Sequence, residues 1–409
     1  MTSSISWLDY SETDQRQVRE LLKLFSDKDT VDDLGIGTIR DAISNQLFPG
    51  TSVIQTRARY FLFVPWIMQH AAERFPDKVI AKSEDMERRL IPALKESDDQ
   101  EGLIGRVAGV NIRTLPSTIY WNGLAMLGIF TAKGMSRHDY GRVASRRTRR
   151  ATAAEGELTD RAAEFWHPAL PSPPENFYKF ESAELALTYD EATWLRERML
   201  TIEDVGRPNL LSGYVRSLTP STEIPDDVFW TRPLPDGTRG PLQDLAYHAA
   251  LFSSANRGAS LLYNLMLAEL RDRDGDADLA SSLREQLVAW APDAERIDLA
   301  GWGRRPDEFW AAVLGPGRRV PPTTRAFVNE WAQLLSTINL GTLADSASAR
   351  SIVERRELSH KRAQARFGNP QRLAAWNGEA GTAPLSYRWF LVRRYLEDIQ
   401  QGLARGEGS

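Results

Sequence analysis

The chain has 409 residues, of which 42% are hydrophobic and 26% are charged, and its formal net charge is −4 at pH 7. This is the composition of a globular protein, and at this length two domains are expected. The sequence contains no cysteine, so disulfides, thiolate catalysis, iron–sulfur clusters and cysteine-ligated zinc are excluded. The net charge argues against a protein that coats nucleic acid with its entire surface, although a local basic region could still bind phosphate.

Hydrophobic residues at spacings of three and four predict a helical chain. A first helix is predicted at about 12–26, and a second ends before Pro49. A third helix of about 20 residues is predicted from Thr51, with a kink or break at Pro65. Further amphipathic stretches fall near 82–97, 115–130, 136–147, 157–166, 189–201, 206–218, 241–272, 279–290, 306–314, 322–336, 342–366 and 384–402.

Signals for β-structure are scarce, and only 177–180 and 185–188 are candidate strands. The segment 167–176 contains four prolines, which neither a helix nor a central strand tolerates, and it is the best candidate for a linker. We therefore predict a mainly α protein of two helical domains, 1–166 and 177–409, with little or no β-structure.

The longest apolar run, Tyr60 to Met68, is about half of the roughly 20 residues that a membrane-spanning helix needs. The N-terminal residues lack the basic and apolar regions of a secretory signal. We expect a cytoplasmic protein that does not enter a membrane.

No segment matches the glycine-rich phosphate loop or the dinucleotide-binding fingerprint, and the five histidines are too far apart in sequence for a helical ligand pair. We predict no catalytic residue, cofactor or metal. A Mg²⁺ nuclease built from Asp32, Asp33 and Asp41 is a weaker hypothesis. The first two carboxylates precede the second helix, where they favour the positive end of its dipole.

Positive charge is concentrated between Leu103 and Arg150, where nine Arg and Lys residues accompany one acid, Asp139, for a local net charge of +8. Arginines three and four residues apart would form one cationic ridge on a helix, and such a ridge suits phosphate contacts. An acidic protein partner and a solvated face without a ligand are the alternatives. The residues predicted to contact nucleic acid here are Arg137, Arg142, Arg146, Arg147, Arg149 and Arg150.

Arg57 and Arg59 are set among apolar residues and lie two positions apart, so at least one is expected to reach inward. Pairing with Asp32, Asp33 or Asp41 is favoured, because a buried guanidinium requires a partner. The alternative is a clamp for phosphate, which makes Arg57 and Arg59 further candidates for nucleic-acid binding.

A second basic series lies in the C-terminal part of the chain. Its spacing favours a charged, solvent-exposed helix face over a binding site. The series contains Arg355, Arg356, Lys361, Arg362, Arg366 and Arg372.

Two parts of the sequence are long and distinctive. The first combines WLDYSE (7–12) with DTVDDLGIGTIRDAISNQLFPGTSVIQTRARYFLFVPW (29–66), and the second is ELSHKRAQARFGNPQRLAAWNGEAGTAPLSYRWFLVRRYLEDI (357–399). Both resemble the bacterial family of unknown function DUF6361. The resemblance brackets the chain and brings no catalytic residue with it.

This resemblance implies an accessory subunit of a bacterial anti-phage defence or DNA-processing system, encoded beside helicases, nucleases and methyltransferases. Together with the basic segment, it predicts a non-enzymatic protein that binds nucleic acid. The alternative is a protein–protein scaffold for a helicase or nuclease partner, with no nucleic-acid contact of its own.

Overall fold

The structure, a computed structural model, describes residues 33–153, 165–202, 208–272, 277–315, 319–378 and 381–406. The predicted helix at 12–26 and Asp32 lie outside these ranges. Within them the chain forms α-helices and short 3-10 turns, and β pairing is limited to one isolated bridge between Phe130 and Trp166. The prediction of a mainly α fold is confirmed.

The helices of the described residues are numbered here in chain order. They are α1 Gly37–Leu47, α2 Tyr60–Arg74, α3 Val79–Lys95, α4 Pro116–Met126, α5 Arg137–Ala153, α6 Tyr189–Leu200, α7 Leu210–Ser217, α8 Pro241–Asp272, α9 Ala277–Arg296, α10 Leu299–Gly303, α11 Pro306–Val313, α12 Pro322–Leu335, α13 Ala347–Lys361, α14 Pro370–Ala374 and α15 Trp389–Ala404. Short 3-10 turns lie at Pro76–Lys78, Gly109–Asn111, Phe177–Lys179, Leu340–Asp345 and Arg362–Gln364.

The chain divides into two compact units. The described residues of the first unit are those within 48–238 and 388–406, and those of the second lie within 33–47 and 239–387. Each unit is therefore assembled from separate stretches of sequence, unlike the continuous domains that were predicted.

The first unit is built around α2. Every residue from Tyr60 to Met68 is buried, because this run is apolar on all sides and α3, α4 and α5 all contact the helix. In the same unit α15 packs against α6 and α7. No helix in the described part of the chain is long and apolar enough to cross a membrane.

Helix α2 begins later than predicted, at Tyr60 instead of Thr51. Before it the backbone N–H of Thr56 donates to the hydroxyl of Tyr120 (2.8 Å), a side-chain acceptor that takes the place of a helical carbonyl. The helix then continues through Pro65 without the predicted break. Burial of the surrounding apolar side chains offsets the backbone hydrogen bond that proline cannot donate.

The predicted linker at 167–176 instead lies within the first unit. The indole Nε1 of Trp66 donates to the carbonyl oxygen of Pro171 (2.6 Å). Proline lacks an N–H but keeps a carbonyl that accepts hydrogen bonds. A proline-rich segment can therefore pack against a core as readily as it can connect two domains.

The two predicted strands are wrong. Residues 177–179 form a 3-10 turn, and Asn176 and Phe180 on either side of it have left-handed backbone conformations, with φ of 65° and 56°. Residues 185–188 form no strand. At the first of these segments, the left-handed residues on either side of the turn prevent an extended strand.

The second unit is arranged around the long helix α8, which contacts α1, α9, α11, α12 and α13. Gly258 allows a close approach between α8 and α9. A Cβ at this position would lie 2.6 Å from the ring of Trp290 on α9, so the two helices could not pack at this distance with a larger residue.

Candidate nucleic-acid interface

One side of α5 is fixed to the first unit. Tyr140 is fully buried, and its hydroxyl donates to the carbonyl oxygen of Met68 (3.3 Å) and accepts from Nε1 of Trp166 (3.2 Å). At Gly141 a Cβ would lie 2.6 Å from the side chain of Ile80. Helix α5 therefore lies directly against α2 and α3 on this side.

The first residue of α5 has a structural role that the sequence did not indicate. Arg137 is only 13% exposed and donates to Oγ of Ser117 (3.1 Å) and to Oε1 of Glu84 (3.0 Å). Its guanidinium joins the start of α5 to α3 and α4. Arg137 is thus held by the protein and is unsuited to the predicted contact with phosphate.

The next arginines of α5 are exposed. The Arg142 side chain is 72% exposed and pairs with Asp139, and Arg146 is also exposed. The backbone stays helical to Ala153. Three of the predicted residues, Arg147, Arg149 and Arg150, lie in this last part of the helix, and their side chains are outside the described structure.

Asp139 partly offsets the positive charge of this surface. A hydrogen bond from Ser136 and the guanidinium of Arg142 hold the pKa of Asp139 below its ordinary value, so the carboxylate is ionised at neutral pH. Part of the charge of Arg142 is neutralised by this pair. Beyond this pair α5 continues with Arg146, whose side chain is exposed.

Arg57 is buried in an ion pair and not exposed to a ligand. Only 1% of the residue is accessible, and its guanidinium contacts Asp398 (2.8–3.1 Å) and Oδ2 of Asp99 (2.7 Å) and donates to the carbonyl of Glu101 (2.8 Å). The backbone N–H of Ala58 donates to the same Asp398 carboxylate (2.8 Å). These acceptors engage the whole guanidinium, so it cannot serve as a phosphate clamp.

Arg59 is buried in the same way. It donates to Oε1 of Glu191 (2.7 Å) and to the carbonyl of Glu184 (2.9 Å), and its guanidinium lies over the ring of Phe63, 5.5 Å from the centroid. Burial in ion pairs is thus correct for both arginines, but the partners predicted for them are wrong. Asp398 is 341 positions from Arg57 and Glu191 is 132 from Arg59, separations that no local sequence pattern could reveal.

The second basic series divides into two groups. Arg355, Arg362 and Arg372 are exposed, as predicted for a solvated face. The side chain of Arg356 is instead buried and donates to the carbonyl of Leu34 (2.7 Å). Arg355 and Arg356 are consecutive in sequence and therefore lie on different faces of the helix.

Asp33 is the acceptor for the remaining basic residues of this series. It is buried, and its Oδ1 contacts Nζ of Lys361 and Nη1 of Arg366 (2.7 Å). Beside them the fully buried Glu357 accepts from the hydroxyl of Tyr263 (2.9 Å) and from the backbone N–H of Arg366 (2.8 Å). The cluster is internally compensated, and no group of three or more potential metal-binding side chains occurs among the described residues.

The model of DUF6361, a family of unknown function, matches residues 2–402 of the chain. The chain belongs to the DUF6361 family. No match was found among curated proteins or among solved structures.

The two DUF6361-like segments meet within each unit. In the first unit Arg57 of the N-terminal segment pairs with Asp398 of the C-terminal segment. In the second unit Asp33 pairs with Lys361 and Arg366. Residues of the two distinctive segments of this DUF6361 chain therefore form ion pairs with each other, buried in the first unit and partly buried in the second.

Proposed function

We propose that this DUF6361 protein is a non-enzymatic accessory subunit that binds the nucleic-acid backbone through α5, in a bacterial defence or DNA-processing system. One observation carries the proposal. Helix α5 is fixed on the side of Tyr140 and Gly141, whereas Arg142 and Arg146 are exposed on a helix that continues through three further arginines.

The chemistry of these side chains suits phosphate. A guanidinium offers several N–H donors in a rigid plane and remains charged at any physiological pH. Contacts to phosphate release condensed counterions, so they bind without reading the base sequence and weaken as salt rises. The buried Arg57 and Arg59 and the half-buried Arg137 are left out of the proposed contact set, because acceptors within the protein engage their guanidinium groups.

The test is fluorescence anisotropy with labelled oligonucleotides of about 20 residues, titrated between about 50 and 200 mM salt. The affinity should fall by roughly a thousandfold over this range if about six phosphates are contacted. Replacing Arg142 and Arg146 together with Gln should weaken binding and reduce the salt slope by about one to two.

A matched control removes the same charge elsewhere in the first unit. Arg216 on α7 and Arg232 in the loop after it are also exposed, and replacing both with Gln should leave the affinity within about twofold. Binding that does not respond to salt, or an equal loss in the control variant, would contradict the proposal.

Protein scaffolding is the competing function, and one surface feature favours it. Val107 is 94% exposed and Val110 is 47% exposed in the loop between α3 and α4, with Arg106 and Arg113 on either side. Two exposed apolar side chains in one loop can form part of a docking surface. A helicase or nuclease that co-purifies with the parent, and is lost on Val107→Asp, would favour a scaffold if the protein alone binds no oligonucleotide.

A further inference from the structure

Phe75 is an exposed aromatic residue in a basic setting. It directly follows α2 and is 41% exposed, and Nζ of Lys82 lies 5.3 Å from its ring centroid. Arg74 and Lys78 are exposed beside it. Over residues 73–82 the cations are Arg74, Lys78 and Lys82 and the acids are Glu73 and Asp77, so this stretch has a net charge of +1.

The contacts of α5 determine where this ring lies along the helix. Arg137 contacts α3 at Glu84, and Gly141 contacts it at Ile80. Helix α5 therefore runs antiparallel to α3, towards the turn Pro76–Lys78, which it also contacts.

The contact between α5 and α2 places Phe75 at the same end of α5. Tyr140 meets α2 at Met68, and Phe75 and Arg146 each lie about two turns further along their helices, roughly 10 Å in both cases. Phe75 is thus level with Arg146, whose side chain is exposed on α5.

From this arrangement we infer that Phe75 is a stacking platform for an unpaired base, and that the strand bound by α5 is single-stranded. The inference rests on the proposed function and adds the class of nucleic acid. A ring beside cations can stack on any base while the cations contact the flanking phosphates. Bases in a duplex are already stacked on one another and are not available to such a ring.

The experiment compares four probes on the full chain: a single-stranded DNA, the matching single-stranded RNA, the DNA as a duplex, and inorganic polyphosphate. The parent should bind a single strand more tightly than the duplex. Phe75→Leu should weaken single-strand binding by roughly tenfold to a hundredfold, while polyphosphate, which has no bases, should bind to the parent and the variant equally.

Two further variants control for general effects of substitution. Phe75→Trp retains an aromatic ring and should bind the single strand at least as tightly as the parent. Phe390 is 46% exposed on α15 in the same unit, and Phe390→Leu should leave the affinity unchanged. The thermal unfolding midpoint of each variant should match that of the parent, because both positions are exposed.

The outcomes separate this inference from the function on which it rests. If Phe75→Leu binds the single strand like the parent, while replacement of Arg142 and Arg146 abolishes binding, stacking is wrong and the phosphate contact stands. Tighter binding of the duplex, or an equal loss with polyphosphate, also overturns the inference. If the parent binds none of the nucleic acids, both proposals fail.

Discussion

Arg57 and Arg146 belong to the same unit and carry the same charge, but their surroundings differ completely. Arg57 is enclosed by Asp398, Asp99 and a backbone carbonyl, whereas Arg146 is exposed. Acceptors within the fold fully engage the first guanidinium, and the second can engage a ligand. The role of an arginine here depends on which acceptors the folded chain brings to it, and the density of charge in the sequence does not indicate this.

Arg137 shows that the same difference occurs within a single helix. It lies on α5 with Arg142 and Arg146, but Ser117 and Glu84 accept its hydrogen bonds. Position on the basic helix therefore does not make an arginine a candidate ligand contact. Substitutions of the engaged arginines should therefore change stability, and substitutions of the exposed arginines should change binding.

The largest effect is expected from breaking the most buried ion pair. Arg57→Met leaves the carboxylate of Asp398 buried without its main partner and should lower the free energy of unfolding by about 3–5 kcal/mol, measured by urea denaturation. Arg57→Met combined with Asp398→Asn removes both charges, keeps an acceptor for the backbone N–H of Ala58, and should recover most of this loss. A single variant as stable as the parent would show that the pair is not structural.

A buried acid near Arg137 should make stability depend on pH. Glu87 accepts from the backbone N–H of Ser117 (2.7 Å), and burial raises the pKa of Glu87 from 4.5 to about 7. Between these values the folded protein holds a proton that the unfolded chain has released, so stability falls as the pH rises through this window.

The matched variant isolates this contribution. The free energy of unfolding of the parent, minus that of Glu87→Gln, should decrease by about 3 kcal/mol between pH 4.5 and 7. The variant cannot ionise and should be the more stable protein at pH 8. A difference that stays flat with pH would reject the raised pKa.

Arg137→Gln should have a smaller effect on stability, because the pair with Glu84 is partly exposed. We expect the free energy of unfolding to fall by about 1–2 kcal/mol. The salt slope of nucleic-acid binding should stay the same, since this guanidinium is held inside the protein. A reduced salt slope would mean that Arg137 contacts the nucleic acid.

The smallest effect on stability is expected for the proposed contact residues themselves. Replacing Arg142 and Arg146 with Gln should change the free energy of unfolding by less than about 0.5 kcal/mol, although it weakens binding. Circular dichroism on thermal unfolding would check this. A large loss of stability would mean that these arginines support the fold.

Local periodicity predicted most of the helices, because the side chains that bury one face of a helix are close together in sequence. The long helix α8 was predicted at 241–272 and is Pro241–Asp272 in the structure. Helix α6 was predicted at 189–201 and is Tyr189–Leu200. The start of α2 was missed, since it depends on Tyr120, 64 positions away from Thr56.

In the candidate site, too, local features were predictable and contacts between distant residues were not. The spacing of Arg142 and Arg146 indicated one ridge, and both are exposed. The engagement of Arg137 by Glu84 was not predictable, because the two residues are 53 positions apart. No role was predicted for Phe75 from the sequence. Its position before a proline and among basic residues could have indicated an exposed aromatic residue.

Helix α15, from the C-terminal part of the chain, completes the first unit. It packs against α6 and α7 and carries Asp398, the partner of Arg57. On the ribosome, Arg57 is therefore synthesised long before its partner. Until the last helix emerges, the core around α2 lacks a buried counterion and a packed side. Folding of this unit is consequently completed only after synthesis of the second unit, and a chain that stops before Trp389 leaves the first unit unfinished.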